Sequence, residues 1–332
     1  LLYHFADGSE RAPQGYKHEM TLIIGFGNSQ QFVMAGDRRF TNWDGSGFTD
    51  ENVKVGSFTC LDARLAVAFA GLAKAPGFET ATWILDTLLE VAKPDYRAEN
   101  TLQRFCEKAT RDFGGLPIAR SNLRTTFLFG GFYGNNPPRP CFARISNYEY
   151  ENGLTLAIAA DNFSCFKLIR TKFSDSEPFV MATAGNPVGL NPVRIGELKT
   201  MLEERKPTNA LVGKATAMIQ EAADNLSSGG SVGKQISTAV IPSEPDKPVV
   251  SHYNTAVPTD KAFFVNGVIA LPGQEIAFRD GEFKKESNGQ SPSVPMLIPR
   301  NSPCPVCGSG KRYKRCCGAP PKKRRARGKP QS

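Results

Sequence analysis

The chain has 332 residues, enough for one large domain with appendages or for two domains. Its apolar content of 40% suits a protein that buries a core. No apolar run is long enough for a membrane span and there is no secretory leader, so a soluble, cytoplasmic protein is expected. The net charge of +9 belongs to one end: from Arg300 onward there are 11 basic and no acidic residues, leaving 30 basic against 32 acidic elsewhere. The body therefore has no obvious nucleic-acid footprint, and the end is either a solvated tail or the place for one.

In chain order, residues 1–19 are polar and without period, and read as a leader or upstream extension. Thr21–Phe26 and Gln31–Gly36 read as strands around the turn Gly27–Gln30. Lys54–Phe58 and Leu65–Ala70 are two further strands. Helical periodicity marks Phe78–Val91, ending before Pro94, and Leu102–Phe113. Strand character returns at Thr125–Tyr133, Cys141–Ser146, Leu154–Ala159 and Phe179–Thr183. Helices follow at Glu197–Glu204 and Ala210–Asn225, then a buried strand at Ser237–Ile241. The pattern predicts a mixed α and β domain over 20–245. Residues 246–299 read as a short hairpin (Ala262–Leu271 with Glu275–Phe278) and a Pro/Ser-rich linker. A cysteine cluster at 300–318 and a disordered basic tail at 319–332 complete the chain.

Four of the eight cysteines fall within fourteen residues: Cys304, Cys307, Cys316 and Cys317, spaced C-x2-C-x8-C-C. Thiolates suit zinc, and Gly308 and Gly310 let the chain fold back so that the second pair faces the first. The surrounding Lys and Arg offset the charge of four thiolates. A segment this short has almost no core, so bound zinc would supply most of its folding energy. All four tetrahedral positions would be filled by sulfur, which makes the site structural. Pro303-Cys304, Cys307-Gly-Ser-Gly-Lys-Arg-Tyr-Lys314 and Cys316-Cys-Gly318 resemble the SEC-C motif, named for the C-terminus of the SecA translocation ATPase. The resemblance implies Zn2+ and contact with other macromolecules. The departure is Pro305-Val306 between the first two cysteines, where the family usually has one residue. Cys60, Cys106, Cys141 and Cys165 lie singly and read as small buried hydrophobes. In the tail, Lys322-Lys-Arg-Arg-Ala-Arg-Gly-Lys329 suits phosphate contact with RNA, DNA or a ribosome, with no aromatics to read bases.

The body carries a candidate nucleophile. Thr21 opens a strand, Asp37 follows sixteen residues on in Ala-Gly-Asp-Arg-Arg, and Lys54 seventeen after that. A threonine hydroxyl needs a base, and the α-amine of Thr21 can be that base if Thr21 becomes the first residue. A nearby lysine lowers the hydroxyl pKa, and a carboxylate holds that lysine charged and oriented. A backbone N–H at a turn such as Gly71 can hold an oxyanion. This ordered set resembles the catalytic β-subunit of the proteasome and its bacterial relative, among the N-terminal nucleophile (Ntn) hydrolases. The resemblance runs over roughly Thr21–Ile241. It implies a four-layer αββα sandwich, with Thr21 as nucleophile, Asp37 as acidic partner, Lys54 as activating lysine and Gly71 as oxyanion donor. Arg39 falls on the family's arginine. Asp224-Asn-Leu-Ser227-Ser-Gly229 resembles its Asp-x-x-Ser-Gly element, stretched by one residue, which nominates Asp224 and Ser227. Ala184-Gly185-Asn186 stands where the family has another serine-bearing turn, and the serine is absent.

Thr21 is internal in this sequence, and two routes could free it. Residues 1–20 could be a self-cleaved propeptide. Alternatively Met20 is the initiator and is trimmed by methionine aminopeptidase, the preferred expectation. Taken alone, each residue has a plainer role: Thr21 as a strand residue, Asp37 and Arg39 as a surface pair, Lys54 as a loop lysine, Gly71 as a strand end. Two functions are therefore expected. One is a threonine-type peptidase or amidohydrolase acting on protein or peptide, with a docking zinc module and a possible homo-oligomeric ring. The other is a non-catalytic scaffold of the same fold that works through its zinc motif and tail.

Overall fold

The computed structural model describes residues 21–42, 47–134, 138–150, 155–169, 179–225, 230–244 and 247–255. The chain divides into two compact units, and all described residues belong to the first. The second comprises Ala270–Ile276 and Lys284–Ser332 and lies outside the described residues. The expected Ala262–Leu271 hairpin, linker, cysteine cluster and basic tail lie outside them as well.

The strands are β1 (Leu22–Asn28), β2 (Gln31–Asp37), β3 (Phe40–Thr41), β4 (Phe48–Thr49), β5 (Val55–Thr59), β6 (Ala63–Gly71), β7 (Lys74–Ala75), β8 (Phe78–Glu79), β9 (Thr125–Tyr133), β10 (Arg139–Ser146), β11 (Ser164–Ile169), β12 (Phe179–Gly185), β13 (Ile236–Pro242) and β14 (Val250–Tyr253). The helices are α1 (Thr80–Ala92), α2 (Ala98–Gly114), α3 (Pro192–Glu203) and α4 (Thr208–Asp224). Two five-stranded sheets run β12-β1-β2-β13-β14 and β11-β10-β9-β6-β5, and adjacent strands in them pair antiparallel.

Period-two alternation explains the layering. In β1 and β2, Leu22, Ile24, Phe26, Val33 and Ala35 pack with Leu198, Leu202, Leu211 and Met218 of α3 and α4. The intervening Ile23, Phe32 and Met34 join Ala66, Ala68, Ala70 and Leu128 of the other sheet. Leu65, Val67, Phe69, Phe127 and Phe129 face away from that seam, onto Ile84, Leu88, Leu102 and Phe105 of α1 and α2. The layers therefore run helices, sheet, sheet, helices. Strands buried on both faces need no polar face, so β1 and β2 are continuously buried and read as apolar runs.

Local chemistry sets the ends. Asn28 Oδ1 accepts the N–H groups of Gln30 (3.0 Å) and Gln31 (3.2 Å), which closes the β1–β2 turn. Asn191 caps α3 by accepting from Val193, with Pro192 in the first turn. Asp62 caps α2 from outside, its Oδ1 accepting the Ala98 N–H at 2.8 Å.

One expected strand is corrected. Within Leu154–Ala159, Thr155 forms only an isolated bridge with Glu149, and the chain from 157 to 162 bends. The alternation there marks no buried face, because Ile158 is 55% exposed. The strand that completes the sheet begins later, at Ser164.

Candidate functional site

The two sheets bring several strand ends together. Thr21 immediately precedes β1, Asp37 ends β2, Lys54 immediately precedes β5, Gly71 ends β6 and Gly185 ends β12. Leu22 pairs with Gly185, and Asp37 with Ile236.

The Lys54 ammonium donates a hydrogen bond to Thr21 Oγ1. It also sits 3.4 Å from Asp37 Oδ2. Thr21, Asp37 and Lys54 are all buried, at 2%, 0% and 1% exposure, so this pair is screened little by water. Backbone amides hold the Asp37 carboxylate. Oδ1 accepts Leu22 N–H at 2.8 Å, and Oδ2 accepts Arg39 N–H at 3.0 Å and Gly233 N–H at 3.1 Å. Burial pushes the Asp37 carboxyl above its ordinary range, opposed by Lys54 and these three amides. Burial pushes the Lys54 ammonium below its ordinary value, opposed chiefly by Asp37.

The other side of Thr21 is held by backbone. Asn186 N–H donates to the Thr21 carbonyl at 2.7 Å. Gly185 lies so close to that carbonyl that a Cβ there would stand 2.0 Å from its oxygen, and its φ of +82° favours glycine. The same imagined Cβ lies 3.1 Å from Ala70 Cβ, which brings the end of β6 to this turn. Gly71 itself has φ of +105°, and a Cβ on it would meet the Arg124 carbonyl at 1.9 Å.

Arg39 stands one step back. Its guanidinium binds both oxygens of Asp50 at 2.9 Å, donates to the Gly230 carbonyl at 2.6 Å and lies over the Phe48 ring at 3.8 Å. Its backbone N–H is what reaches Asp37.

The structure brings Thr21, Asp37 and Lys54 into contact; the Arg39 N–H reaches Asp37, and Gly71 follows Ala70, which lies by Gly185. It does not bring Asp224 there. Asp224 is the last residue of α4, and its carboxylate points to solvent and pairs with the equally exposed Lys234 at 2.5 Å. Ser227 lies outside the described residues. The chain that follows contributes instead through Gly233 and through Ser231, whose Oγ accepts from Asn186 Nδ2 at 3.1 Å. Gly185, Asn186, Ser231 and Gly233 thus join the site. Gly185 and Asn186 lie in the Ala184-Gly185-Asn186 turn already noted in the sequence, whereas Ser231 and Gly233 were signalled only by the run of glycine and serine after α4.

No family model matches the chain. Among curated proteins it is 43% identical over 44 residues to the UPF0225 protein VP1145 of Vibrio parahaemolyticus. That stretch is 12% of this chain, and the chain spans about a quarter (26%) of that relative. Among solved structures it is similar to Anbu (ancestral beta-subunit) from Yersinia bercovieri, at 16% identity and a TM-score of 0.45, covering 73% of this chain and 89% of that one. It is also similar to Anbu from Hyphomicrobium sp. strain MC1, at 16% identity and a TM-score of 0.41, covering 74% and 92%. A third likeness is to the Helical Assembly of the Anbu Complex from Pseudomonas aeruginosa, at 17% identity and a TM-score of 0.43, covering 73% and 89%. No helix among the described residues is long and apolar enough to cross a membrane.

Proposed function

We propose that this protein is a threonine-type amidohydrolase or peptidase of the Ntn class, with Thr21 as nucleophile once the Met20–Thr21 bond is cut. The observation that carries the reading is the buried chain Thr21 Oγ1–Lys54–Asp37, its carboxylate fixed by three backbone amides. A surface ion pair would not need such support. Hydrolysis of the Met20–Thr21 bond consumes one water and yields a carboxyl on Met20 and an amine on Thr21. That amine takes the hydroxyl proton as Oγ1 attacks a substrate carbonyl carbon, and passes it to the departing amine. Water then hydrolyses the ester and restores the hydroxyl. Lys54 stabilises the developing negative charge on Oγ1, and the Gly71 N–H is the proposed oxyanion donor.

Sequencing the N-terminus of natively expressed protein tests the first requirement. A threonine-directed electrophile that labels wild type and not Thr21→Ala tests the second. Retention of Met20 on every copy, with no labelling, leaves the non-catalytic scaffold instead.

The zinc module extends this proposal. Among the described residues no group of three or more His, Cys, Asp or Glu is placed to hold a metal. The four C-terminal cysteines lie outside them and form a donor set that suits zinc. Cys304, Cys307, Cys316 and Cys317 would hold the ion as a structural centre, and the basic tail would add phosphate contact. Self-assembly into a ring is part of the same proposal, and light scattering of the purified protein tests it.

A further inference from the structure

One buried ion pair beside the site has no part in the chemistry above. Glu149 and Arg144 have side chains only 9% and 13% exposed, and Arg144 Nε lies 3.3 Å from Glu149 Oε2. They follow from β10, in the sheet that carries β5 and β6. Both reach across to β12, in the sheet that carries β1. Arg144 donates to the Thr183 carbonyl at 2.9 Å. Glu149 Oε1 accepts from Gly185 N–H at 3.5 Å. Gly185 packs against the Thr21 carbonyl, and the next amide, Asn186 N–H, is bonded to it. Glu149 is therefore one residue removed from the group that fixes the backbone of the nucleophile.

Its own placement is firm. The Ser146 hydroxyl accepts the Glu149 N–H at 2.9 Å and the Tyr148 N–H at 3.2 Å, and is 2.7 Å from Thr126 Oγ1. Glu149 also bridges Thr155 through its backbone. Surface ion pairs contribute little, whereas removing one member of a buried pair leaves an uncompensated charge. A misplacement of about 1 Å in a group that positions a nucleophile can cost about 100-fold in rate.

We infer that Glu149, locked by Arg144, is a positioning residue that braces the Gly185–Asn186 turn against Thr21. The two sheets are thereby tied together at the one strand end where the nucleophile's backbone is set. The inference rests on the threonine reading for its effect on rate, and on geometry alone for the brace itself.

Burial pushes the Glu149 carboxyl above the ordinary glutamate range, with Arg144, Tyr148, Thr126 and the Gly185 amide opposing it. Among the described residues the charged group against it is Arg144, and Tyr148, Thr126 and the Gly185 amide are neutral donors. Ionisation of Glu149 strengthens its bond to the Gly185 N–H.

The test uses full-length 15N-labelled protein and the variants Glu149→Gln, Arg144→Lys and Arg144→Met. In wild type the Gly185 amide resonance should titrate with a midpoint above the ordinary carboxylate range, and in Glu149→Gln it should not. In labelling by a threonine-directed electrophile, Glu149→Gln should lower the maximal rate by about tenfold or more while the initial binding constant holds. Arg144→Lys should retain more of the rate than Arg144→Met. A Gly185 amide that does not titrate, or a Glu149→Gln protein that labels at the wild-type maximal rate, overturns the inference. If wild type is not labelled at all, the threonine reading falls, and the Gly185 titration still decides whether the brace exists.

Discussion

Asp37→Asn is the sharpest perturbation of the buried cluster, because it changes no volume. In wild type Asp37 Oδ1 faces one backbone donor, while Oδ2 faces two backbone donors and the Lys54 ammonium. A carboxamide has one oxygen. Turned toward Leu22, it sets its NH2 against the Arg39 and Gly233 amides and the ammonium. Turned the other way, it abandons Leu22. Each orphaned buried donor costs about 1–3 kcal/mol. Removing one member of a buried ion pair costs about 3–5 kcal/mol. These terms overlap, since Lys54 can shed its proton, so a loss of about 5 kcal/mol is expected rather than their sum. For a domain of this size that lowers the melting temperature by about 10–20 °C. Thermal and urea unfolding measure it. The double variant Asp37→Asn/Lys54→Met removes the stranded ammonium and should recover about 2 kcal/mol or more relative to Asp37→Asn alone. Melting of Asp37→Asn within about 3 °C of wild type would refute the reasoning, as would full additivity in the double variant.

Gly185→Ala should destabilise by more than about 3 kcal/mol, since it adds a left-handed strain to a collision with the Thr21 carbonyl; a chemical-denaturation midpoint near wild type would count against that packing. Burial raises the thiols of Cys60 and Cys141 to about 12, so neither should react with a disulfide reagent at pH 8 until the protein unfolds, as thiol counting with and without denaturant will show. The sign of the linkage follows. Between the unfolded value near 8.5 and about 12 the folded state keeps protons that the unfolded state has lost, so these thiols make stability fall as pH rises through that window. Released zinc, read with a chromogenic chelator as a mercurial titrates the thiols, should reach one equivalent per chain, and none after Cys316 and Cys317 are both changed to Ser.

What could be read from the sequence follows from what a period can encode. The Thr21-to-Asp37 spacing was legible because one tight hairpin, β1–β2, fixes it in register. Lys54 was legible despite an extra residue because the insertion falls in the loop after β3, where length matters little. Asp224 was misplaced because a short motif carries no information on where a helix ends. Its α4 stops at that residue and turns the carboxylate outward. The strands β11 and β14 were missed because both are sheet edges with mixed polarity, such as Ser164 and Lys167 in one and Ser251 and His252 in the other. Besides Lys54, the amides of Leu22, Arg39 and Gly233 hold Asp37, and a backbone N–H has no letter in the sequence.

Asn186 has its own place in this pattern of bonds. Asn186 bonds the Thr21 carbonyl through its N–H and Ser231 through its side chain, and Gly233, two residues past Ser231, bonds Asp37. Asp37 holds Lys54, and Lys54 holds the Thr21 hydroxyl. The bonds form a closed circuit that grips Thr21 at its carbonyl and its hydroxyl. None of them uses the Thr21 nitrogen, the atom joined to Met20. Cutting the Met20–Thr21 bond therefore breaks none of these bonds. It follows that chains with and without that bond should melt within about 3 °C of each other, while only those with a free Thr21 amine react with a threonine-directed electrophile. A large melting difference between the two forms would show that the circuit is assembled by the cleavage rather than before it.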